Sequence, residues 1–597
     1  MKTRVLFAIA VLGLCSGPRL AAQGQFSTMS LWDAERQVSD QTQINSSATI
    51  FIWSDKYVYQ PNEVATLRWT VRPNNDFYPY TIVAYRQNNQ TGVKTYFPNG
   101  TSEVSDIFGN TPGQGFLIAR LPQGEKQVLI GAGGTIPAAQ GQIPNELGMH
   151  TFVVQVRDYT GTRIVRSAYM KIGVVDGFED MQGDIQTDRT LVNTKAYRLQ
   201  GLVHVRGGAT LTIEPGTFII GQPGSQPPSA LLVTQTGRIV ASGTRSRPII
   251  FTSSLPFGQR NPGDWGGLIL LGSAPTNWPT GFGNIEGLTP SDNTRYGGTD
   301  PTHNCGTLRY VRVEFSGVEF APNSEVNSIT WGGCGSATVS EFLQASYGND
   351  DTFEWFGGNN GAKYLIGLYA RDDYFDGQIG WTGRVQHALA VSNQEYQGNR
   401  GFEMDNNEVD FGAQPLSHPQ FYNVTFVGAG DAFTTGVDEG AGVAAVFLRR
   451  GAAGDYNNLV LFNWVSNGYE LRDDATLANL DSGQLTSDGV LLWNNGVLAG
   501  KANTVEGQTN ALALPFLSGQ RGQARNILLA DPLLRRPLDF SNPDFRPRHG
   551  SPIFRANWVQ PPDDGFFDQW ATWIGAFGEV DWTEEWANFL EEGSIAP

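Results

Sequence analysis

The sequence predicts an all-β chain in two parts, a small antiparallel β-sandwich followed by a long solenoid of stacked parallel coils. Three observations carry this. The 597 residues include 72 Gly, 11% aromatic and only 17% charged residues, a balance that suits many short strands joined by turns. Between residues 48 and 175, runs such as ATIFIWS, VATLRWTVRP, YTIVAYRQ, KQVLIGAG, HTFVVQVRD and RSAYMKIGVV are separated by Gly, Asn, Pro and Asp. From about Thr190 short strands recur with a period: ATLTIEPGTFIIG begins at Ala209 and ALLVTQTGRIVASG at Ala230, an offset of 21. A period of that size marks coils that bury an apolar ladder by stacking.

The elements follow in order. Lys2 and Arg4 precede a ten-residue apolar run, Val5 to Leu14, and then the small residues of LAAQ. This is the pattern of a signal peptide over 1–22, too short to span a bilayer. It implies export, to a secreted or cell-surface location, and no later run is long enough for a transmembrane span. Cys15 raises lipidation, against which stands the bulky Leu14 before it. Residues 23–46 read as a flexible polar lead-in, 47–176 as the sandwich, 177–189 as a linker, 190–556 as the solenoid and 557–597 as a cap. Within the sandwich, YVYQPNEVATLRWTV resembles the opening strands of bacterial immunoglobulin-like domains. The cap holds five of the 15 Trp, as expected of a segment covering an open sheet edge.

The coil repeat extends into the most acidic part of the chain. DDTFEWF (350–356) aligns with DDYFDGQ (372–378) at an offset of 22, and NRGFEMD and NGYELRDD continue the pattern. Phe353, Phe375, Phe402 and Tyr469 then point inward and Glu354, Asp376, Glu403 and Glu470 outward, because side chains alternate along a strand. GVEF adds Val318 and Glu319 to the same two columns. The expected result is an outward acidic stripe flanked by aromatic residues.

Charge narrows the partners. The net charge of −17 excludes nucleic acid and anionic lipid, and leaves cations, glycans or extracellular proteins. Residues 341–410 hold 12 Asp or Glu against four Lys or Arg. Stacked carboxylates about 4.8 Å apart repel by roughly 3–4 kcal/mol at an effective dielectric near 20, so something offsets them. Arg371, Arg400 and Arg472 are one answer, with Arg400 in the column of Asp351 and Asp373. Ca2+ is the other, held by carboxylate and amide oxygens of Asp350, Asp351, Glu354, Asp372, Asp373, Asp376, Glu403, Asp405 and Asn406. Trp355, Tyr374, Trp381 and Tyr396 lie beside the stripe as candidates to stack on sugar rings. His387 and His418 are isolated and read as structural, and no Walker loop, GxSxG or HExxH motif occurs. Cys305 and Cys334 each open a coil with a Cys-Gly-Ser/Thr step, and stacked coils bring such positions within disulfide range.

Several phrases carry a family resemblance: RGGATLTIEPGT, RPIIFTS, GDWGGLILLGSAPTN, TLRYVRVEFSG, AKYLIGLYARDDYFD, DGQIGWTGRVQHALA, PDFRPRHGSPIF and AFGEVDWTEEWANF. They resemble secreted bacterial right-handed parallel β-helix proteins of the pectate-lyase-like fold, a family of unassigned activity, over roughly 185–590. The resemblance implies export and a β-helix, and a binding or structural role with no catalytic residue is the first expectation. The alternative it implies is a polysaccharide lyase or glycoside hydrolase. In that case Asp373, Asp376 and Glu403 hold a metal, Arg400 abstracts a proton, or paired Asp residues hydrolyse a glycosidic bond.

Overall fold

The computed structural model describes residues 48–589 apart from 55, 62, 74–79, 93, 98–115, 119–134, 143–145, 158–163, 226, 321–325, 394–397, 431–443, 466, 497–522 and 540–542. The signal peptide, the lead-in, Cys15 and Tyr396 fall outside the described residues. Among those described, no helix is long and apolar enough to cross a membrane.

Residues 48–174 form two sheets. Ala48–Ser54, Val64–Pro73 and Thr135–Gln142 make the first, all antiparallel. The second is built around Tyr80–Asn88, Gly148–Arg157 and Ile164–Val174, again antiparallel, with Val58–Tyr59 added in parallel at its edge. This part is docked on the solenoid. Arg260 Nη2 donates to Tyr57 Oη at 2.6 Å, and its guanidinium lies between the rings of Tyr57 and Phe315. Lys171 Nζ and Asn89 Nδ2 both donate to the Ser246 carbonyl.

Twenty-three parallel strands, from Phe178–Ile185 to Gln523–Leu529, then wind a β-helix. The stretch expected to be a linker is its first coil, since Phe178–Ile185 pairs in parallel with Ala196–Val205. Its alternation is masked by charges that meet across coils, Arg198 with Asp180 and Arg189 with Glu179. From Leu268–Leu271 onward each coil has one short strand and one long one. The long strand turns a corner at a left-handed residue: Tyr310, Phe342, Tyr364, His387, Asn423, Asn458, Gly489 and Asn526 occupy this position in successive coils.

The interior is a column of apolar and aromatic side chains in register. Trp331 stacks on Trp355 at 5.0 Å and Trp355 on Trp381 at 4.4 Å. Gly377 occupies the next position of that column, and a Cβ there would meet the Trp381 ring at 2.6 Å, so the missing side chain is the space Trp381 fills. Cys305 and Cys334 are joined, with Cα atoms 5.8 Å apart, across adjacent coils whose strands pair Thr307 with Val339.

The Trp-rich tail is not laid across an end of the solenoid. Its described part, 557–589, runs along one flank over the corner residues. Asn423 Nδ2 donates to the Trp573 carbonyl and Asn458 Nδ2 to that of Val559. Trp586 meets Tyr310 and Phe342 edge-on, Trp582 meets Tyr364, and the Ala587 carbonyl accepts from Tyr169 of the second N-terminal sheet. The corner column presents flat rings and amides outward, and the tail's indoles and carbonyls are what cover them.

Candidate functional site

The acidic column stands on the short strands. The outward positions in register are Thr330, Glu354, Asp376, Glu403, Phe447 and Glu470. The offset of 22 therefore places Glu354, Asp376 and Glu403 as expected. Glu319 is not in the column: Val318 and Glu319 fall in the turn before the short strand Ile329–Gly332, and Ile329 and Thr330 take the two places. A whole coil, with Val446 and Phe447 in those positions, stands between Glu403 and Glu470.

The column is covered rather than open. Asp351, Glu354, Asp373, Glu403, Asp405 and Glu470 are each at most 5% exposed. Among the described residues, the insertion 273–304 and the segment 406–417 pack together beside the coils that carry the column's earlier part. Asn277 N donates to the Ile379 carbonyl, Gly358 N to that of Pro275, and Asn277 Nδ2 to Asn406 Oδ1 at 2.8 Å. Of the four aromatic residues expected to flank the stripe, the three that are described do not reach it. Trp355, Tyr374 and Trp381 are fully buried in the interior. The alternation that sends Glu354 outward sends Trp355 inward with Phe353, and Tyr374 donates to the Val391 carbonyl inside the coil. No sugar can stack on them. The isolated histidines have structural contacts: His387 stacks on Tyr364 at 4.7 Å, and His418 Nε2 is 3.6 Å from Asp455.

Ion pairing divides the carboxylates into two groups. In the later coils arginines hold them. Arg400 reaches Glu403 at 2.5 Å and Asp373 at 3.4 Å. Arg449 pairs with Glu403 and with Asp405 at 3.0 Å, Arg450 with Asp405 at 2.7 Å, and Arg472 with Glu470 at 2.6 Å. The guanidinium groups of Arg400, Arg449 and Arg472 lie 4.6, 5.2 and 5.0 Å from the centre of the Phe447 ring. Phe447 thus takes a carboxylate's place and offers a face to three cations. Arg449 and Arg450 escaped the sequence reading because their coil, AAVFLRR, lacks the aromatic–acid pair. The signal was present in the register, since Arg449 stacks directly on Asp405.

In the earlier coils no ion pair from Lys or Arg reaches Asp351, Glu354 or Asp376 among the described residues. One carboxylate oxygen from each of these three lies within 4.8 Å of the others, and the same holds for Asp350, Asp351 and Asp372. Glu354 accepts from Asn327 Nδ2 and, at 3.0 Å, from Gln378 Nε2. Asp376 is partly exposed, but its Oδ1 is fully covered and has no hydrogen-bond partner.

The proton affinities follow from this division. Burial, then the neighbouring acids, pushes the carboxyls of Asp351, Glu354, Asp373 and Asp376 well above the usual range. Glu286, on the insertion 273–304, is the first acid felt by Glu354 and acts on Asp376 as well; it is a member of the site that the coil pattern could not reveal. Burial also acts to raise Glu403, but the hydrogen bond from Asp373 and the charges of Arg400, Arg449 and Arg450 outweigh it and hold Glu403 low. Asp405 is pushed up to about 6 by burial and by Glu403. For Arg400, burial opposes the charge, yet Asp373 and Glu403 prevail and raise its affinity for the proton. A guanidinium clamped in this way is a poor general base, which counts against the proton abstraction expected of Arg400.

An oxygen cluster of this size matches a shared cation. Ca2+–oxygen bonds of about 2.3–2.6 Å place ligands up to roughly 5 Å apart across the ion. Asp351, Glu354 and Asp376 each bring one carboxylate oxygen to the cluster, and the covered Oδ1 of Asp376 lacks a partner that a cation would supply.

The family profile described as "Pectate-lyase like beta helix domain" matches residues 183–524, more than half of the chain. The chain belongs to this pectate-lyase-like β-helix family. Among solved structures, this family member is similar to the Yersinia enterocolitica family 28 exopolygalacturonase at 9% sequence identity, over 75% of this chain and 92% of that one, with a TM-score of 0.19. No curated protein matches the chain.

Proposed function

We propose that the protein handles a polysaccharide and holds a divalent cation, Ca2+ by its ligand chemistry, between Asp351, Glu354 and Asp376. The observation that supports this reading is the uneven balance of charge along one column. Arginines pair with the carboxylates of the later coils, whereas the three in the earlier coils converge within 4.8 Å with no arginine in direct ion pair among the described residues, the charge of Arg449 reaching only Asp376 and without contact. The glycan part of the reading rests on membership of a pectate-lyase-like family. Since burial and the neighbouring acids raise the proton affinity of these carboxyls, proton and cation compete, and Ca2+ affinity should rise with pH. Calorimetric titration of Ca2+ into the wild type and Asp376→Asn tests the cation. Saturable heat lost in the variant supports the proposal; no heat and an unchanged melting temperature in the wild type remove it.

One observation favours a second reading, glycoside hydrolysis on the same face. Asp376 and Glu403 are register neighbours whose proton affinities are driven apart, Asp376 upward and Glu403 downward. Such a pair divides into a proton donor and an ionised partner. New reducing ends from a panel of acidic and neutral polysaccharides, abolished by both Asp376→Asn and Glu403→Gln, would establish it. Unsaturated uronates instead of plain reducing ends would indicate a lyase.

A further inference from the structure

A second cavity lies away from the acidic column, on the outer side of the long strands. Its volume is about 400 Å3, within the range of small-ligand pockets. One wall is made by Phe462 and Trp493, which are register partners in adjacent coils and half-buried. Leu461 and Leu492, one residue earlier, point into the core, so Phe462 and Trp493 point out. Just beyond them the chain turns at Asn463 and Asn494, both left-handed, with Asn494 Nδ2 donating to Asn463 Oδ1 at 2.6 Å. The facing wall is Leu533, Leu534, Pro537 and Leu538, with Asp531 and Arg548 completing the lining.

The column that ends in Phe462 and Trp493 changes character along the solenoid. Its three preceding members are Leu368, Val391 and Val427, all buried in the cluster that the C-terminal tail joins, and before them stand the polar Ser346 and Glu314. Beyond Val427 the side chains enlarge to two aromatic rings. Two adjacent aromatic side chains, left half-covered and with amides at one end, give the cavity an apolar wall with a polar edge.

We propose that this cavity is a binding site for a neutral saccharide, stacked through its C–H face on Trp493 and Phe462 and hydrogen-bonded at its hydroxyls by Asn494, Asp531 and Arg548. The aromatic wall matches the apolar face of a sugar ring, and Tyr- and Trp-type rings with a polar flank suit ligands that are apolar on one side and wet on the other. The ionisable groups of the lining are one carboxylate and one guanidinium, so their charges cancel. That selects a neutral, hydroxyl-bearing ligand over a uronate. The site is independent of the cation cluster and stands or falls without it.

Calorimetric titration with cellohexaose, xylohexaose and mannohexaose tests it on the full chain. At least one should bind saturably. Trp493→Ala should weaken that binding at least ten-fold, and Arg548→Gln, at an exposed position where the side chain donates to the Arg535 carbonyl, should weaken it several-fold. Asp376→Asn should leave it unchanged, which separates this site from the acidic column. Far-ultraviolet circular dichroism and the melting temperature identify a Trp493→Ala protein that has failed to fold, in which case Arg548→Gln alone decides. Binding of none of the three oligosaccharides, or unaltered affinity in the folded variants, overturns the proposal.

Discussion

Replacing Asp568 should loosen the C-terminal tail from the flank of the solenoid. Asp568 bonds the tail to three residues at or beside the corner column. Its carboxylate accepts from Lys363 Nζ at 2.9 Å and from Tyr364 Oη at 2.7 Å, and His387 Nε2 is 3.5 Å away. Its backbone N–H donates to Gln386 Oε1 at 2.6 Å, a contact that survives substitution. Asp568→Ala removes two hydrogen bonds to a charged group, each worth about 1.5–3 kcal/mol. The Lys363 ammonium retains some access to water at 14% side-chain exposure, so the lower end applies to it. The expected loss is about 3 kcal/mol, a fall in melting temperature on the order of 5 °C.

The same carboxyl supplies a pH signature. Burial acts to raise its affinity for the proton, but the contacts from His387 and Lys363 prevail and hold it well below the usual carboxylate range. A group whose folded value is depressed contributes stability that is complete above its unfolded value of about 3.9 and is lost as the pH falls toward the folded value. The difference between wild type and Asp568→Ala should therefore be constant from pH 7 to 5 and shrink below pH 4. Urea unfolding across pH, with limited proteolysis of the tail, measures both. A variant that melts with the wild type and keeps its tail protected would refute the assignment of Asp568 as the anchor.

Two further outcomes follow from the pairings. Arg449→Ala removes the partner shared by Glu403 and Asp405, which are 4% and 3% exposed, and should destabilise by about 2–4 kcal/mol at pH 7; a double-mutant cycle with Asp405→Asn should show strong coupling, and additive effects would contradict the pairing. Thiol counting on the denatured, unreduced protein should show neither Cys305 nor Cys334 reactive, and removal of the cross-link by Cys305→Ser with Cys334→Ser should cost about 3–4 kcal/mol for a separation of 29 residues, with unchanged urea unfolding as the contrary result.

The coil register around the acidic stretch is written in the amino-acid pattern alone. The pairing of Phe353 with Phe375 and Phe402, and of Glu354 with Asp376 and Glu403, was legible because a strand alternates every two residues and a coil returns the chain to the same face. The joining of Cys305 to Cys334 followed from the same arithmetic. What repeats was readable; what interrupts the repeat was not. Glu319 was misplaced because the turn that carries it precedes its coil's short strand, and the coil of Val446 and Phe447 was passed over because its residue types differ. That the carboxylates are covered, that arginines hold one half of them and that the tail follows the flank emerges only from the folded chain. These depend on contacts between segments far apart in the chain, such as Asn277 with Asn406, 129 residues on, and Asp568 with Lys363, 205 residues back. Local periodicity says which way a side chain points from its strand, but whether water or another part of the chain lies on that side is set by where the insertions and the tail come to rest.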